Sequence, residues 1–202
     1  SLTATDILVN DNAGFTPTSQ FIQSESDVIA FGNFVIVVYN DAGSFASGSH
    51  FTGWSRSTNG GATFTDGGIL PTSTVGDAGD PVIARNNTTG RLYFSTLGFN
   101  SPGNIQMFRS DDNGATWGAP VNCTPGGSSM DKQCHAVDNF AGTGNGNVYM
   151  IARDFSTGSG VYMWRSTNNG DTWGTSGTLI VSGNQGAYVT VGSDHAVYAF
   201  WY

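Results

Sequence analysis

An all-β fold built from a repeated four-stranded unit is what this sequence predicts, and three observations carry the prediction. The first is an octapeptide that occurs three times, at 57–64 (Ser57-Thr58-Asn59-Gly60-Gly61-Ala62-Thr63-Phe64), 110–117 (Ser110-Asp111-Asp112-Asn113-Gly114-Ala115-Thr116-Trp117) and 166–173 (Ser166-Thr167-Asn168-Asn169-Gly170-Asp171-Thr172-Trp173). Its period of about 55 residues is that of a supersecondary unit that stacks on its neighbours. The second is composition: 29 Gly, 12% aromatic and 11% charged residues, with no stretch of sustained helical periodicity. The third is a set of four paired apolar runs of strand length, each pair opening one repeat.

In chain order, Ile7-Leu8-Val9-Asn10 reads as an outer strand, either left from a preceding unit or closing a ring. The inner pairs are Val28 to Phe31 with Phe34 to Tyr39, Val82 to Ala84 with Leu92 to Phe94, Ala136-Val137 with Val148 to Ala152, and Tyr188 to Val191 with Val197 to Trp201. The second member of each pair is nearly all apolar, as a strand covered on both faces must be. Third strands run from Phe51, Ile105 and Val161 to the serines that open the octapeptides. Gly/Asn/Asp clusters such as Asn86 to Gly90 and Gly142 to Gly146 supply the hairpins. Each octapeptide is itself a turn: Asn59, Asp112 or Asn168 bonds its own backbone, Gly61, Gly114 or Gly170 supplies positive φ, and Phe64, Trp117 or Trp173 anchors the chain as it re-enters a strand. Only the central copy keeps an aspartate, so the position serves geometry rather than chemistry. Four inner pairs and three outer pairs make about three and a half units before Tyr202. The repeat spans residues 1–202 as one domain without a linker.

A net charge of −8 with one Lys and six Arg leaves no basic stripe, which argues against a nucleic-acid partner, and no apolar run is long enough to span a bilayer. The chain starts at Ser1 with neither Met nor a leader, as a mature form or an excised piece does. Cys123 and Cys134 flank a Gly/Ser loop and lack the companions of a zinc site, so a loop disulfide is expected over two free thiols. A disulfide would place the protein in an oxidising, secreted or extracytoplasmic compartment. Asn86, Asn87 and Asn122 open glycosylation sequons.

The octapeptides resemble the Asp-boxes, Ser-x-Asp-x-Gly-x-Thr-Trp, of sialidases and related propellers. Asp131-Lys132-Gln133-Cys134-His135-Ala136-Val137-Asp138, followed by Gly146 to Tyr149 and Arg153-Asp154-Phe155, is similar to the blade opening of bacterial sialidase-like repeat proteins. Most of the chain is covered by this resemblance to the sialidase-like (Asp-box, or BNR repeat) β-propeller superfamily. It implies a β-propeller of four-stranded blades, here about three and a half of a ring of about 6 or 7, with an incomplete arc completed by a second copy or by further chain.

In such blades the Asp-box turns lie at one end and the functional loops at the other. The functional end collects Glu25, Asp27, Asp77, Asp80, Asp131, Lys132 and His135 from blade connections, and Asn40, Asp41, Arg153 and Asp154 from second-to-third-strand turns. Arg56, Arg109 and Arg165, one per repeat, read as structural. Sialidases use an arginine triad, a Tyr activated by Glu and an Asp acid/base; this chain has no Arg-Ile-Pro signature and a single Glu, so the resemblance implies the fold more than the activity. The acid/base candidates are Asp80 and Asp131 with Arg153 as substrate anchor; Asp154, Asn40, Asp41, His135, Tyr39 and Trp201 complete a carbohydrate-binding set. The candidate functions are part of a sialidase-like glycoside hydrolase, a non-catalytic glycan-binding propeller, and a structural propeller assembling with other copies. No cofactor is implied, beyond a structural calcium that Asp77-Ala78-Gly79-Asp80 would suit.

Overall fold

The computed structural model describes residues 6–11, 22–47, 49–156 and 158–202. Four antiparallel sheets follow one another along the chain, each with its strands in sequential order. The first holds β1 (Gln23–Phe31), β2 (Phe34–Asp41), β3 (Thr52–Ser57) and β4 (Thr65–Ile69); the second β5 (Val82–Arg85), β6 (Leu92–Leu97), β7 (Ile105–Ser110) and β8 (Val121–Asn122); the third β9 (Met130–Val137), β10 (Val148–Asp154), β11 (Gly160–Ser166) and β12 (Thr178–Ser182). β13 (Tyr188–Val191) and β14 (Val197–Phe200) form a two-stranded fourth. The chain is therefore three blades and a half of a β-propeller, as the repeat predicted. Residues 7–10 are not a strand. In place of a ladder, the Asn10 amide donates to Gln23 Oε1 at 3.1 Å and the Asp11 N–H to Asp66 Oδ2 at 3.1 Å, tying this polar-ended segment to blade one.

Apolar layers fill the spaces between blades. Ile36, Val38, Trp54 and Leu70 of blade one meet Ile83, Leu92, Phe94 and Phe108 of blade two. Tyr93, Ile105 and Met107 on the other face of blade two meet Met150, Trp164 and Trp173 of blade three, and Tyr149, Ile151 and Val161 carry a third layer against Val189. Successive residues of β6 and β10 thus point into different layers, which is why their sequences show no polar alternation. Each fully buried Leu or Phe contributes about 2 kcal/mol.

The same layering corrects the disulfide. Cys123 and Cys134 are both free and buried. Cys123 lies in the layer between blades two and three, its thiol donating to Ile105 O at 3.2 Å, whereas Cys134 lies in the layer beyond blade three. The blade-three sheet separates them, so a short intervening loop does not bring them together. Burial pushes both thiols above their ordinary pKa, as for inert structural cysteines.

The three octapeptide turns share one hydrogen-bond pattern. The Ser hydroxyl donates to the Asx oxygen two residues on (Ser57 to Asn59 2.8 Å, Ser110 to Asp112 2.7 Å, Ser166 to Asn168 2.9 Å) and accepts the N–H of Gly61, Gly114 or Gly170. The same Asx oxygen accepts the Thr N–H at 3.0 Å in every copy. Each later turn docks on the blade before it. Arg56 Nε donates to Asn113 O at 2.8 Å; Arg91 donates to Asn169 O, and Arg91 and Arg109 both pair with Asp171. Two of the three repeated arginines are thus inter-blade clamps, and Arg165 is exposed on the face of blade three turned to the half blade.

Candidate active site

The opposite end of the blades carries a second repeat, of backbone rather than sequence. Ahead of each innermost strand's apolar run one residue adopts a left-handed conformation: Glu25 (φ 49°), Asp80 (φ 50°), Lys132 (φ 47°) and Gly186 (φ 68°). In β1 and β9 it coincides with a slip in register against the second strand, a β-bulge of the kind that re-aims side chains. Non-glycine residues with positive φ are uncommon and cost about 1 kcal/mol or more. Three at equivalent places need support, and Asp80 shows it: its N–H donates to Asn40 Oδ1 at 2.7 Å, and the Gln133 amide donates to its carbonyl. Asp27 adds a clamp between blades by accepting the Ile83 N–H at 2.9 Å. At the fourth place the residue is a glycine, and the ring of Tyr202 lies where a Cβ of residue 186 would project.

The bulges set Glu25, Asp80 and Lys132 side by side as a crown at the mouth of an axial groove lined by β1, β5, β9 and β13, around a cleft of about 300 Å³. Lys132 Nζ donates to Glu25 Oε2 at 3.0 Å and stands 3.9 Å from Asp80 Oδ2. The Asp80 side chain is 17% exposed, against 45% for Glu25 and 50% for Lys132. Burial first, and then the hydrogen bond and charge of Glu25, push the Asp80 carboxyl up to about 6, while the hydrogen bonds from Asp80 and Lys132 hold Glu25 below its ordinary value. One carboxyl is pushed up and its neighbour held down, the environment-driven divergence that sets acid and base roles apart.

Asp131 sits one residue before Lys132, with Oδ1 accepting the Lys132 N–H at 2.9 Å and Oδ2 the Gln185 amide at 3.0 Å. Of the remaining candidates His135 lines the axial groove, and the others lie outside it and outside the crown cleft. Asn40 positions Asp80 as described. Asp41 accepts from Gly43 N, Ser44 Oγ and Gln23, fixing the loop after β2. Arg153 is buried, with its guanidinium donating to Asn184 O (2.9 Å) and Ser159 Oγ (2.5 Å) and stacking on Phe155. Asp154 is buried and accepts the Ser156 N–H. His135 is buried beneath the crown against Ser95 Oγ at 3.0 Å, and burial lowers it to about 4, so it is neutral at neutral pH.

Tyr39 faces away from blade two, its hydroxyl on Ser55 Oγ at 2.8 Å, and burial raises its pKa. Trp201 lies past the end of β14 and is exposed. In the Asp77 loop, which would suit a structural calcium, Asp77 turns inward to His50 Nδ1 (2.5 Å) and the Phe51 and Thr52 N–H groups. Among the described residues no group of three or more His, Cys, Asp or Glu is arranged to hold a metal. Sequence reasoning placed Glu25 and Lys132 at this end but not in the site. Glu25, Asp80 and Lys132 lie two residues before Asp27, Val82 and Cys134, but the apolar runs start at Val28, Val82 and Ala136, so aligning those runs does not bring the three together.

No family model matches the chain, and no curated protein does. Solved structures do. A protein of unknown function from Dyadobacter fermentans DSM 18053 is 14% identical with a TM-score of 0.62, over 96% of this chain and 64% of that one. The endo-arabinase of Bacteroides thetaiotaomicron VPI-5482 is 16% identical with a TM-score of 0.59, over 88% and 68%. The Hadza microbial sialidase Hz136 is 16% identical with a TM-score of 0.55, over 83% and 39%. The chain thus spans between 39% and 68% of the length of these structures. At such identities the likeness is one of fold, and it confirms the β-propeller architecture.

Proposed function

We propose that this chain is part of a carbohydrate-active propeller and that its crown, Glu25, Asp80 and Lys132, is the acid–base group of a glycoside hydrolase acting on neutral glycans. The observation that carries the reading is the cluster itself at the mouth of the axial groove: the largely buried Asp80 carboxyl, pushed up to about 6, shares the Lys132 ammonium with the more exposed Glu25. Glycoside hydrolysis requires a carboxylic acid to protonate the leaving oxygen and a second carboxyl about 5 to 9.5 Å away. Glu25 and Asp80 both face the Lys132 ammonium, at 3.0 and 3.9 Å, so they are taken as one proton-donating group and Asp131 is the candidate for the second role. The solved structures with this fold include an arabinase and a sialidase.

The arginines favour a neutral substrate over a sialoside. Arg56, Arg91 and Arg109 are engaged in the octapeptide turns, Arg85 stacks on Phe31, Arg153 is spent on Asn184 and Ser159, and Arg165 lies on an outer strand. None is left to pair a sugar carboxylate at the crown, where the carboxylates outnumber the one lysine. The octapeptides are read as Asp-boxes on their hydrogen bonding. A secreted location loses the disulfide as its support and rests on the substrate class alone.

Release of nitrophenol from aryl α-L-arabinofuranoside, β-galactoside and α-sialoside tests the reading. Cleavage of a neutral glycoside, reduced about 100-fold or more in Asp80→Asn, is expected; cleavage of the sialoside alone, or a rate unchanged in Asp80→Asn, overturns it. A second reading, a propeller that binds glycans without cleaving them, is favoured by one observation: both oxygens of Asp131 are already engaged. Glycan binding without cleavage would select it.

A further inference from the structure

On the crown end of blades one and two, three phenylalanines gather from three loops. Phe45 lies in the 3-10 turn Ser44–Ser47 after β2, Phe51 just precedes β3, and Phe99 follows β6. The Phe45 and Phe51 ring centroids are 6.5 Å apart at 87°, and those of Phe45 and Phe99 6.0 Å apart at 39°. The rings touch one another yet remain open, with Phe45 56% and Phe99 41% exposed.

Buried groups hold the cluster in place. Asp41 fixes the turn that carries Phe45. Asp77 Oδ1 accepts the Phe51 N–H at 3.0 Å, and Val75 O accepts the N–H of Asn100, next to Phe99, at 2.9 Å. The segment under the rings leads to the crown. A Cβ on Gly76 would stand 3.4 Å from Phe99, one on Gly79 would stand 3.1 Å from Phe51, and the next residue is Asp80.

The surroundings select the occupant. Exposed Ser49, Thr72, Thr74, Asn100 and Ser101 rim the patch, while His50 and Asp77 are buried against each other and Asp41 is buried against Ser44. With no cation among the described residues of the rim, neither an anionic lipid surface nor a nucleic acid finds a partner there. An uncharged ring that presents polarised C–H groups on one face and hydroxyls at its edge matches both the negative faces of the phenylalanines and the hydroxyl and amide rim.

We propose that Phe45, Phe51 and Phe99 form a sugar-stacking platform for a unit further along the chain whose end is held at the crown, so that the ligand is a neutral oligosaccharide. The proposal rests on the crown reading for its first subsite and on the aromatic cluster for its second. Calorimetric titration with arabino- and galacto-oligosaccharides of one to four units separates the two. Wild type is expected to gain about tenfold in affinity between one unit and three. Phe45→Ala/Phe99→Ala should bind every length like the monosaccharide, Phe45→Tyr/Phe99→Tyr should restore the gain, and Asp80→Asn should weaken all lengths alike.

A length-dependent gain that survives the double alanine variant overturns the platform and leaves the crown standing. Full monosaccharide binding in Asp80→Asn, with the gain still lost in the alanine variant, overturns the crown and upholds the platform. Loss at every length that the tyrosine variant does not restore identifies a merely structural cluster and overturns the platform, as does flotation on phosphatidylcholine vesicles that the alanine variant abolishes. Absence of binding to any of these sugars overturns both.

Discussion

The two ends of the blades repeat different things. At one end the octapeptide turns repeat backbone and side chains together: Ser, Asx, Gly, Thr and an aromatic residue make the same bonds in three blades. At the other end the bulges repeat the backbone alone, and the left-handed position holds a glutamate, an aspartate, a lysine and then a glycine. Where every blade keeps the same side chains, those side chains build the blade. Where the backbone is kept and the side chains diverge, the scaffold is holding different groups toward a common point, which is how a repeated architecture makes a site that is not itself repeated.

If the turn end is scaffold, its glycines should show the largest stability losses. Gly114 has φ 75°, and a Cβ there would stand 2.8 Å from Ile36 Cδ1 and 3.4 Å from Leu92 Cδ1, inside the layer between blades one and two. Gly61 has φ 89° but only Val35 nearby, at 3.8 Å. Gly114→Val should therefore cost about 3 kcal/mol, from dihedral strain and overpacking together, and Gly61→Val about 1 to 2 kcal/mol from strain alone. Urea unfolding of both variants decides it. Equal losses would mean that the second turn does not seat on blade one as the geometry has it.

The turn end was legible because its chemistry is local. Eight consecutive residues contain the hydroxyl, the Asx group, the positive-φ glycine and the aromatic anchor, so the motif is its own evidence. The inner strands were legible as far as their apolar runs reached, from Val28 and from Ala136. The structure starts β1 at Gln23 and β9 at Met130, and the difference is the bulged stretch, whose polar residues and register slip hide it from a periodicity reading. The crown was hidden for the same reason. Glu25, Asp80 and Lys132 meet across three blades, with contacts up to 107 residues apart in the chain. The cysteine pairing failed on a related point: separation along the chain says nothing about which layer a side chain enters.

If the crown is a site, its charges should be coupled, with signs fixed by the geometry. Glu25 raises the Asp80 carboxyl and Lys132 lowers it, on top of the burial that raises it most. Glu25→Gln should therefore move Asp80 down from about 6 toward the ordinary carboxylate range, and Lys132→Met should move it up, both read from the carboxyl carbon in a ¹³C NMR titration. Shifts in the same direction would break the crown into unconnected residues. Stability should follow. Because the folded-state value lies above the unfolded value of about 3.9, the protonated form favours folding; this contribution is complete below about pH 4 and is lost as pH rises through about 6. Urea midpoints should fall less between pH 4 and 6.5 in Asp80→Asn than in wild type.

The smallest effect is expected where a carboxylate looks most like a functional one. Asp112 is held down to about 2; burial opposes this, but hydrogen bonds from the Thr116 hydroxyl and N–H, the Ser110 hydroxyl and the Ala115 N–H outweigh it. In the other two turns an asparagine makes the corresponding contacts with one bond reversed. Thr116 Oγ1 donates to Asp112 Oδ2 at 2.6 Å, whereas the Asn59 and Asn168 amides donate to Thr63 and Thr172 Oγ1 at 2.8 and 2.9 Å. A hydroxyl serves in either role, so Asp112→Asn needs only a rotated proton. At pH 7 the variant should match wild type in Tm to within about 3 °C. The difference should emerge in acid. Above its unfolded pKa the wild-type carboxylate contributes stability that is lost as pH falls through about 2, and the amide has nothing to lose. Thermal unfolding at pH 7 and pH 2.5 is the measurement; a larger loss at pH 7 would mean that the charge of Asp112, and not the shape of the turn, is what this position supplies.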